Sequence, residues 1–236
     1  MSKFLSPIIV WLRRDFRIHD NRALAAAVSS GKPVLLIFIF DEHRSSKWFI
    51  GSASRCWLHN SLESFSRELN NKVCLQKGDT DDVLKSLVRE TGAQAVFWNK
   101  IYEPEYLAAD SKTEQMLGAV GVETSQFTGS YLYPPRSVLK DDQTPYRVFT
   151  AFYKKHYASQ FSDFEESFLD TKNLKWFSYD NGLSLDELLM MPSGTWPNKF
   201  NPYWQPGELG AQRQLESFIN GNYSPPNAEA CPANAN

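Results

Sequence analysis

Residues 10–24 read V-W-L-R-R-D-F-R-I-H-D-N-R-A-L, and this stretch decides the fold. An apolar run from Ile8 to Leu12 stops at a knot of charge made by Arg13, Arg14, Asp15, Arg17, His19 and Asp20. An Ala-rich stretch with helical character follows, from Asn21 to Ser29. A buried strand, a charged turn and a helix in that order form the opening unit of a doubly wound α/β sheet.

Working outward, four further apolar runs are expected to be strands: Val34–Phe40, Val73–Gln76, Ala95–Trp98 and Val122–Phe127. Their β-branched and aromatic content suits strands buried on both faces. Helical patterns lie between them. Leu58, Leu62, Phe65 and Leu69 share one face, as do Val83, Leu84, Leu87 and Val88, and a third helix is expected from Pro104 to Gly118. Strand alternating with helix predicts a Rossmann-like α/β domain over residues 1–130. Its sheet would have five parallel strands in the order 3-2-1-4-5, right-handed crossovers and helices on both faces. Beyond Ser130 the texture changes to aromatics and prolines with few periods, so 131–203 reads as a mostly irregular connector packed on the α/β core. Within it, Pro145–Tyr157 carries a short amphipathic helix or turn. A last helix is expected over 204–220, with Leu209, Leu215 and Phe218 as its apolar positions, and a disordered Pro/Ala/Asn-rich tail over 221–236.

With 236 residues the chain can bury roughly 70% of its unfolded surface, and so folds without staples. A net charge of −2 gives no support to DNA binding by this chain alone, because phosphate-directed proteins present a basic balance. Cys56, Cys74 and Cys231 show no metal spacing and cannot all pair internally, which fits a reducing cytoplasm. The start, M-S-K-F-L-S-P, is too short and polar for a signal peptide, and no apolar run has the length to span a membrane.

In a doubly wound sheet ligands bind beyond the carboxyl ends of strands, where the strand order reverses. Here that point lies between strands 1 and 4, flanked by the turns Arg13–Asp20 and Asn99–Glu103, with Asp41 nearby after strand 2. Arg13, Arg14, Arg17 and Arg22 would neutralise a phosphate or carboxylate ligand, or else form an internal network with Asp15 and Asp20 that fixes the turn. Glu103 would hydrogen-bond an amide or amine of a planar ring, or cap the helix at Pro104. Ser52–Arg55 opens a helix and offers an anion site, although an ordinary N-cap role for Ser52 is the simpler reading. No G-x-G-x-x-G or P-loop is present, the four histidines are scattered, and the seven tryptophans read as packing.

V-W-L-R-R-D-F-R-I-H-D-N-R-A-L resembles the first signature of the DNA photolyase/cryptochrome family. Four later segments resemble the same family in the same order: Gly51–Leu62, Trp98–Glu105, Pro145–Phe152 (with Ala151 where the family usually carries proline) and Trp204–Ala211. The resemblance implies an N-terminal α/β domain that houses an antenna chromophore: a reduced folate, a flavin or a deazaflavin. Glu103 maps onto the folate-contacting glutamate, while Phe40, Asp41 and Arg55 map onto the pocket of flavin and deazaflavin binders. Ile101 stands where deazaflavin binders often carry Asp, which weakens that option.

The family continues after Phe218 into an all-helical domain that binds FAD and damaged DNA, and this text is not recognisable in the chain. The expectation is therefore an antenna-type domain binding a planar chromophore or nucleotide-like ligand through Arg13, Asp15, Phe40, Asp41, Arg55, Asn99 and Glu103. Catalytic FAD is not expected in this chain, nor dimer repair by it alone. The competing expectation is a non-catalytic interaction module or a shortened remnant, with a second copy or a separate flavin-binding helical domain as its partner.

Overall fold

The computed structural model describes residues 6–44, 49–131, 133–160, 169, 174–188, 191–200 and 202–221. The expected tail beyond Gly221, and Cys231 with it, lies outside the described residues. The chain divides into two compact units, Met1–Phe49 with Lys72–Leu183, and Ile50–Asn71 with Ser184–Asn236.

The first unit is built on five parallel strands: β1 (Ile8–Leu12), β2 (Val34–Phe40), β3 (Val73–Lys77), β4 (Ala95–Lys100) and β5 (Glu123–Thr128). They lie in the order β3-β2-β1-β4-β5. Every residue of β1 and β2 is buried, as a strand covered on both faces requires. The sheet's edge at β5 (E-T-S-Q-F-T) is polar and only partly buried. Register is tight: Val10 pairs with both Leu36 of β2 and Phe97 of β4.

Helices α1 (Arg22–Ser29), α3 (Thr80–Thr91) and α4 (Pro104–Ala119) surround this sheet, and α2 (Ser52–Glu68) belongs to the second unit. Because side chains alternate along a strand, Ile9, Trp11, Leu35, Ile37, Ile39, Val96 and Trp98 share one face, where they pack with Leu84 and Leu87 of α3 and Leu117 of α4. Each such fully buried apolar side chain contributes about 1.5–3 kcal/mol. Helix α1 runs against β1, β4 and β5 and buries Ala23, Leu24 and Ala27.

Local chemistry sets the helix ends. The Asn21 side chain accepts the Leu24 N–H, and the Asp79 side chain accepts those of Asp81 and Asp82. Gly92 closes α3 in the left-handed conformation at φ 67°. Pro104 starts α4 from within its first turn.

Part of the irregular segment is built into this unit. The Lys175 carbonyl accepts from Val34 N–H at 2.8 Å, Phe177 N–H donates to the Val34 carbonyl at 2.9 Å, and Leu183 N–H donates to that of Leu75 at 2.8 Å. The short helix expected after Pro145 runs as α5 (Phe149–Gln160).

In the second unit, α2 packs with α6 (Glu208–Ile219). Trp57 meets Trp204 edge to face at 5.6 Å, and Leu188 is fully buried in a 3-10 turn, Asp186–Leu188. Ser52 does not cap α2. Gly51 occupies that position without a side-chain bond, and Ser52 is already helical. The expected apolar positions of α6 are exposed, with Leu215 at 57% and Phe218 at 66%. Among the described residues, no helix is long and apolar enough to cross a membrane.

Candidate functional site

The strand order reverses between β1 and β4, so the turns that follow these strands flank the position where such sheets take ligands. A dense polar network fills the turns. The Asp15 carboxylate accepts the Arg13 backbone N–H at 2.8 Å and the Asn99 amide at 2.5 Å. Asn99 also donates to Asn21 at 2.9 Å and accepts the Ala23 N–H at 3.2 Å, which joins β4 to the start of α1. Arg17 donates to the carbonyls of His19, Asp20 and Gly129, closing the turn against the end of β5.

The Arg13 guanidinium points into the protein. Its Nη1 donates to both carboxylate oxygens of Asp110 at 2.8 Å, and Nη2 donates to the Asn99 carbonyl. The acidic partner is thus Asp110 on α4, rather than Asp15 or Asp20 of its own turn. Arg44, after β2, reaches the same carboxylate at 3.2 Å, with Thr113 at 3.1 Å and Asp81 at 3.6 Å as further partners. Both guanidinium groups lie over the Trp11 ring, at 4.8 and 4.6 Å. Burial lowers the Arg13 pKa more than the charge and hydrogen bonds of Asp110 raise it.

The remaining predicted residues fall in different places. Phe40 is buried at the end of β2. Asp41 accepts the Thr80 N–H at 2.9 Å and its hydroxyl at 2.7 Å, and takes the His43 N–H on its other oxygen, so it fixes the start of α3. Arg55 lies on α2 in the second unit, where its Nε donates to the Ile50 carbonyl at 3.0 Å. Glu103 precedes α4 but makes no capping bond with its side chain. Instead it accepts from Arg14 at 2.7 Å, and Arg14 also donates to the Tyr106 hydroxyl and lies 4.9 Å above that ring. Partial burial alone would lower the Arg14 pKa, but the bonds to Glu103 and Tyr106 outweigh it and the net direction is up. Unlike Arg13, Asp15 and Asn99, this pair is open to solvent, with side chains 56% and 49% exposed.

The structure therefore brings Arg13, Asp15 and Asn99 together as a closed internal network and leaves Arg14 and Glu103 facing outward beside it. Sequence reasoning missed Arg44, Asp81, Asp110 and Thr113. The available signal was an Asp and a Thr at positions 110 and 113, on the inward stripe of α4 that ends in Leu117. Among the described residues, no group of three or more His, Cys, Asp or Glu side chains is placed to hold a metal ion. Cys56 and Cys74 are buried and unpaired, and burial raises both thiol pKa values, which disfavours the reactive thiolate.

The model of the DNA photolyase family matches residues 8–170. The chain belongs to that family. The deoxyribodipyrimidine photo-lyase of Agrobacterium fabrum is 36% identical over 228 residues, which span 94% of this chain and 46% of that protein. Cryptochrome-1 of Arabidopsis thaliana is 33% identical over 220 residues, spanning 90% of this chain and 32% of that one. A bacterial class III photolyase from Agrobacterium tumefaciens superposes with a TM-score of 0.83 at 32% identity, over 93% of this chain and 46% of its own. An archaeal photolyase from Sulfolobus tokodaii, described with two FAD molecules and as implying a novel light-harvesting cofactor, superposes at 0.70 over 92% of this chain and 46% of its own. At 21% identity that likeness shows the fold alone. The chain spans a third to a half of the length of these curated relatives. In the photolyase family the α/β portion is thus the part this sequence covers, and its sheet order and switch point are those expected from the opening strand and turn.

Proposed function

We propose that this chain binds a planar antenna chromophore, a reduced folate, a flavin or a deazaflavin, beyond the carboxyl ends of β1, β2 and β4. The observation that carries the reading is the exposed Arg14–Glu103 pair beside Tyr106 at the switch point, set against a neighbouring charge network that is buried and paired internally. The donor set fits such a ligand. Glu103 can accept from the amide and amine edge of a heteroaromatic ring, Arg14 can meet a carbonyl or carboxylate, and Tyr106 presents an aromatic face. Tyr102, next to Glu103 in the chain, meets Tyr131 edge to face at 5.0 Å. Family membership supports the same class of ligand.

Such a group, when bound, absorbs light and passes the excitation on. The protein's own part is to bind and orient it. Arg13, Asp15, Asn21 and Asn99 hold the turn after β1 rigid, Asp41 holds the end of β2 to α3, and Glu103 and Arg14 make the contacts. Of the candidate contacts drawn from the sequence, Arg55 supports the reading least, because its Nε donates to the Ile50 carbonyl just before its own helix.

The test is uptake. The purified chain is mixed in turn with a reduced folate, FMN and a 5-deazaflavin, separated by gel filtration, and read by near-ultraviolet and blue absorption, where these planar ligands absorb. Stoichiometric retention of one of them supports the reading, and retention of none overturns it.

A second reading, an interaction module, is favoured by the exposed Trp57, Trp204, Leu215, Phe218 and Ile219 of the second unit. Sedimentation of the chain as a dimer supports it.

A further inference from the structure

Asp110 stands at a helix position that pattern alone would give to an apolar residue, one turn after Tyr106 and two before Leu117, and it is 2% exposed. A carboxylate buried so deeply is costly unless donors surround it. Here three groups from three separate segments converge on it. Arg13 comes from the turn after β1, Arg44 from the segment after β2, and Trp98 from β4, whose Nε1 donates at 3.2 Å. Thr113, one turn further along α4, extends the same cluster to Asp81 of α3 at 2.5 Å.

The turn after β1 and the start of α4 carry the proposed ligand contacts. Arg14 follows Arg13 directly, Asp41 lies three residues before Arg44, and Glu103 is the residue before α4 begins. The buried pair Arg13–Asp110 and the exposed pair Arg14–Glu103 therefore bridge the same two elements, one beneath the other in exposure. The exposed pair alone would be worth little and would swing freely in water. In the buried pair Nη1 of Arg13 reaches both oxygens of Asp110 while Nη2 donates to the Asn99 carbonyl, so the guanidinium is held in orientation as well as in distance.

We infer that Asp110 is a positioning residue for the chromophore site. It clamps the turn after β1 and the segment after β2 onto α4, so that Arg14 and Glu103 are presented at a fixed separation. The inference rests on the chromophore reading. Folding itself does not demand this arrangement, because a buried ion pair replaced by well-packed apolar groups often leaves stability unchanged or higher.

The experiment compares the full-length wild type with Asp110→Asn, Arg13→Lys and Leu117→Ala, each titrated with a reduced folate, FMN and a 5-deazaflavin well below its own melting temperature. Dissociation constants and the induced circular dichroism of the bound ligand are read together. Leu117→Ala weakens the same helix without touching the carboxylate, and so controls for stability. Asp110→Asn is expected to raise the dissociation constant tenfold or more and to alter the induced dichroism. Arg13→Lys, which keeps the charge but loses the planar group that bonds Asp110 and the Asn99 carbonyl at once, carries the test if Asp110→Asn does not fold, and is expected to move both readouts in the same direction. Leu117→Ala is expected to bind as wild type does. Wild-type affinity and an unchanged dichroism in Asp110→Asn or Arg13→Lys overturn the inference while leaving the chromophore reading intact. Equal weakening in Leu117→Ala also overturns it. A wild type that retains none of the three ligands overturns the chromophore reading, and the inference with it.

Discussion

Asn99 and Asn21 are hydrogen-bonded to each other at 2.9 Å, although 78 residues separate them, and the bond sits where the sheet's winding reverses. Asn99 ends the apolar part of β4, and Asn21 caps α1. One side-chain amide thereby satisfies Asn21, Asp15 and the Ala23 backbone at once, all in a water-poor environment. The charged turn is held by uncharged amides as much as by its ion pairs.

Replacing Asn99 by Ala removes those bonds together and leaves the Asp15 carboxylate and the Asn21 amide short of partners. The expected cost is about 2–3 kcal/mol, the penalty for orphaned buried polar groups rather than for the bonds themselves. Urea unfolding of Asn99→Ala against wild type measures it. A midpoint within experimental error of wild type would refute the idea that this amide holds the turn.

Glu103→Gln separates binding from folding. The Arg14–Glu103 pair is exposed, so its loss should change stability by less than about 1 kcal/mol. A ligand whose ring N–H groups donate to the carboxylate should bind more weakly by about 1–3 kcal/mol. Absorption titration reads the second effect and thermal melting the first. Unchanged affinity removes Glu103 from the site.

Tyr179 and Glu90 form a pH-bounded clamp. The Tyr179 hydroxyl donates to Glu90 at 2.5 Å, tying the irregular segment to α3. Burial, then the bond to Glu90 and its charge, push the Tyr179 pKa up to about 12. Its contribution to stability is therefore whole below the ordinary tyrosine value near 10 and disappears as pH climbs from there to about 12. Glu90 is shifted the other way, chiefly by the same bond, so its contribution is present above its ordinary value of 4.5 and is lost as pH falls through the lowered one. The melting-temperature gap between wild type and Tyr179→Phe should be widest between roughly pH 5 and 9 and close at both ends. A gap that is flat with pH contradicts the clamp.

The strands were legible because burial on both faces demands unbroken apolar runs. β1 and β2 occupy the expected residues, while β3, β4 and β5 extend by one or two polar residues at their carboxyl ends, where hydrogen bonding continues beyond the apolar signal. The switch point followed from strand order. Within the site, the partner of Arg13 was not legible. Asp15 and Asp20 are near in sequence, but Asp110 is 97 residues away and is recognisable only as a charge on the inner stripe of α4. Asp41 and Ser52 illustrate the same limit at helix starts. A side chain beside an N-terminus can cap it from another segment, as Asp41 does for Thr80, or stand one residue too late, as Ser52 does.

Gly207 offers a test in the second unit. It precedes α6 at φ 100°, ψ 171°, a conformation almost confined to glycine, and a Cβ built there would collide with the Ser64 side chain of α2. Gly207→Ala should cost about 1–3 kcal/mol from the backbone alone, with the collision added to it. Adding Ser64→Gly should remove the collision and not the backbone strain, so Gly207→Ala should cost less in the Ser64→Gly background than in wild type, but still more than nothing. No cost in that background would show that the backbone at 207 is not strained, and a Gly207→Ala protein as stable as wild type would remove both causes.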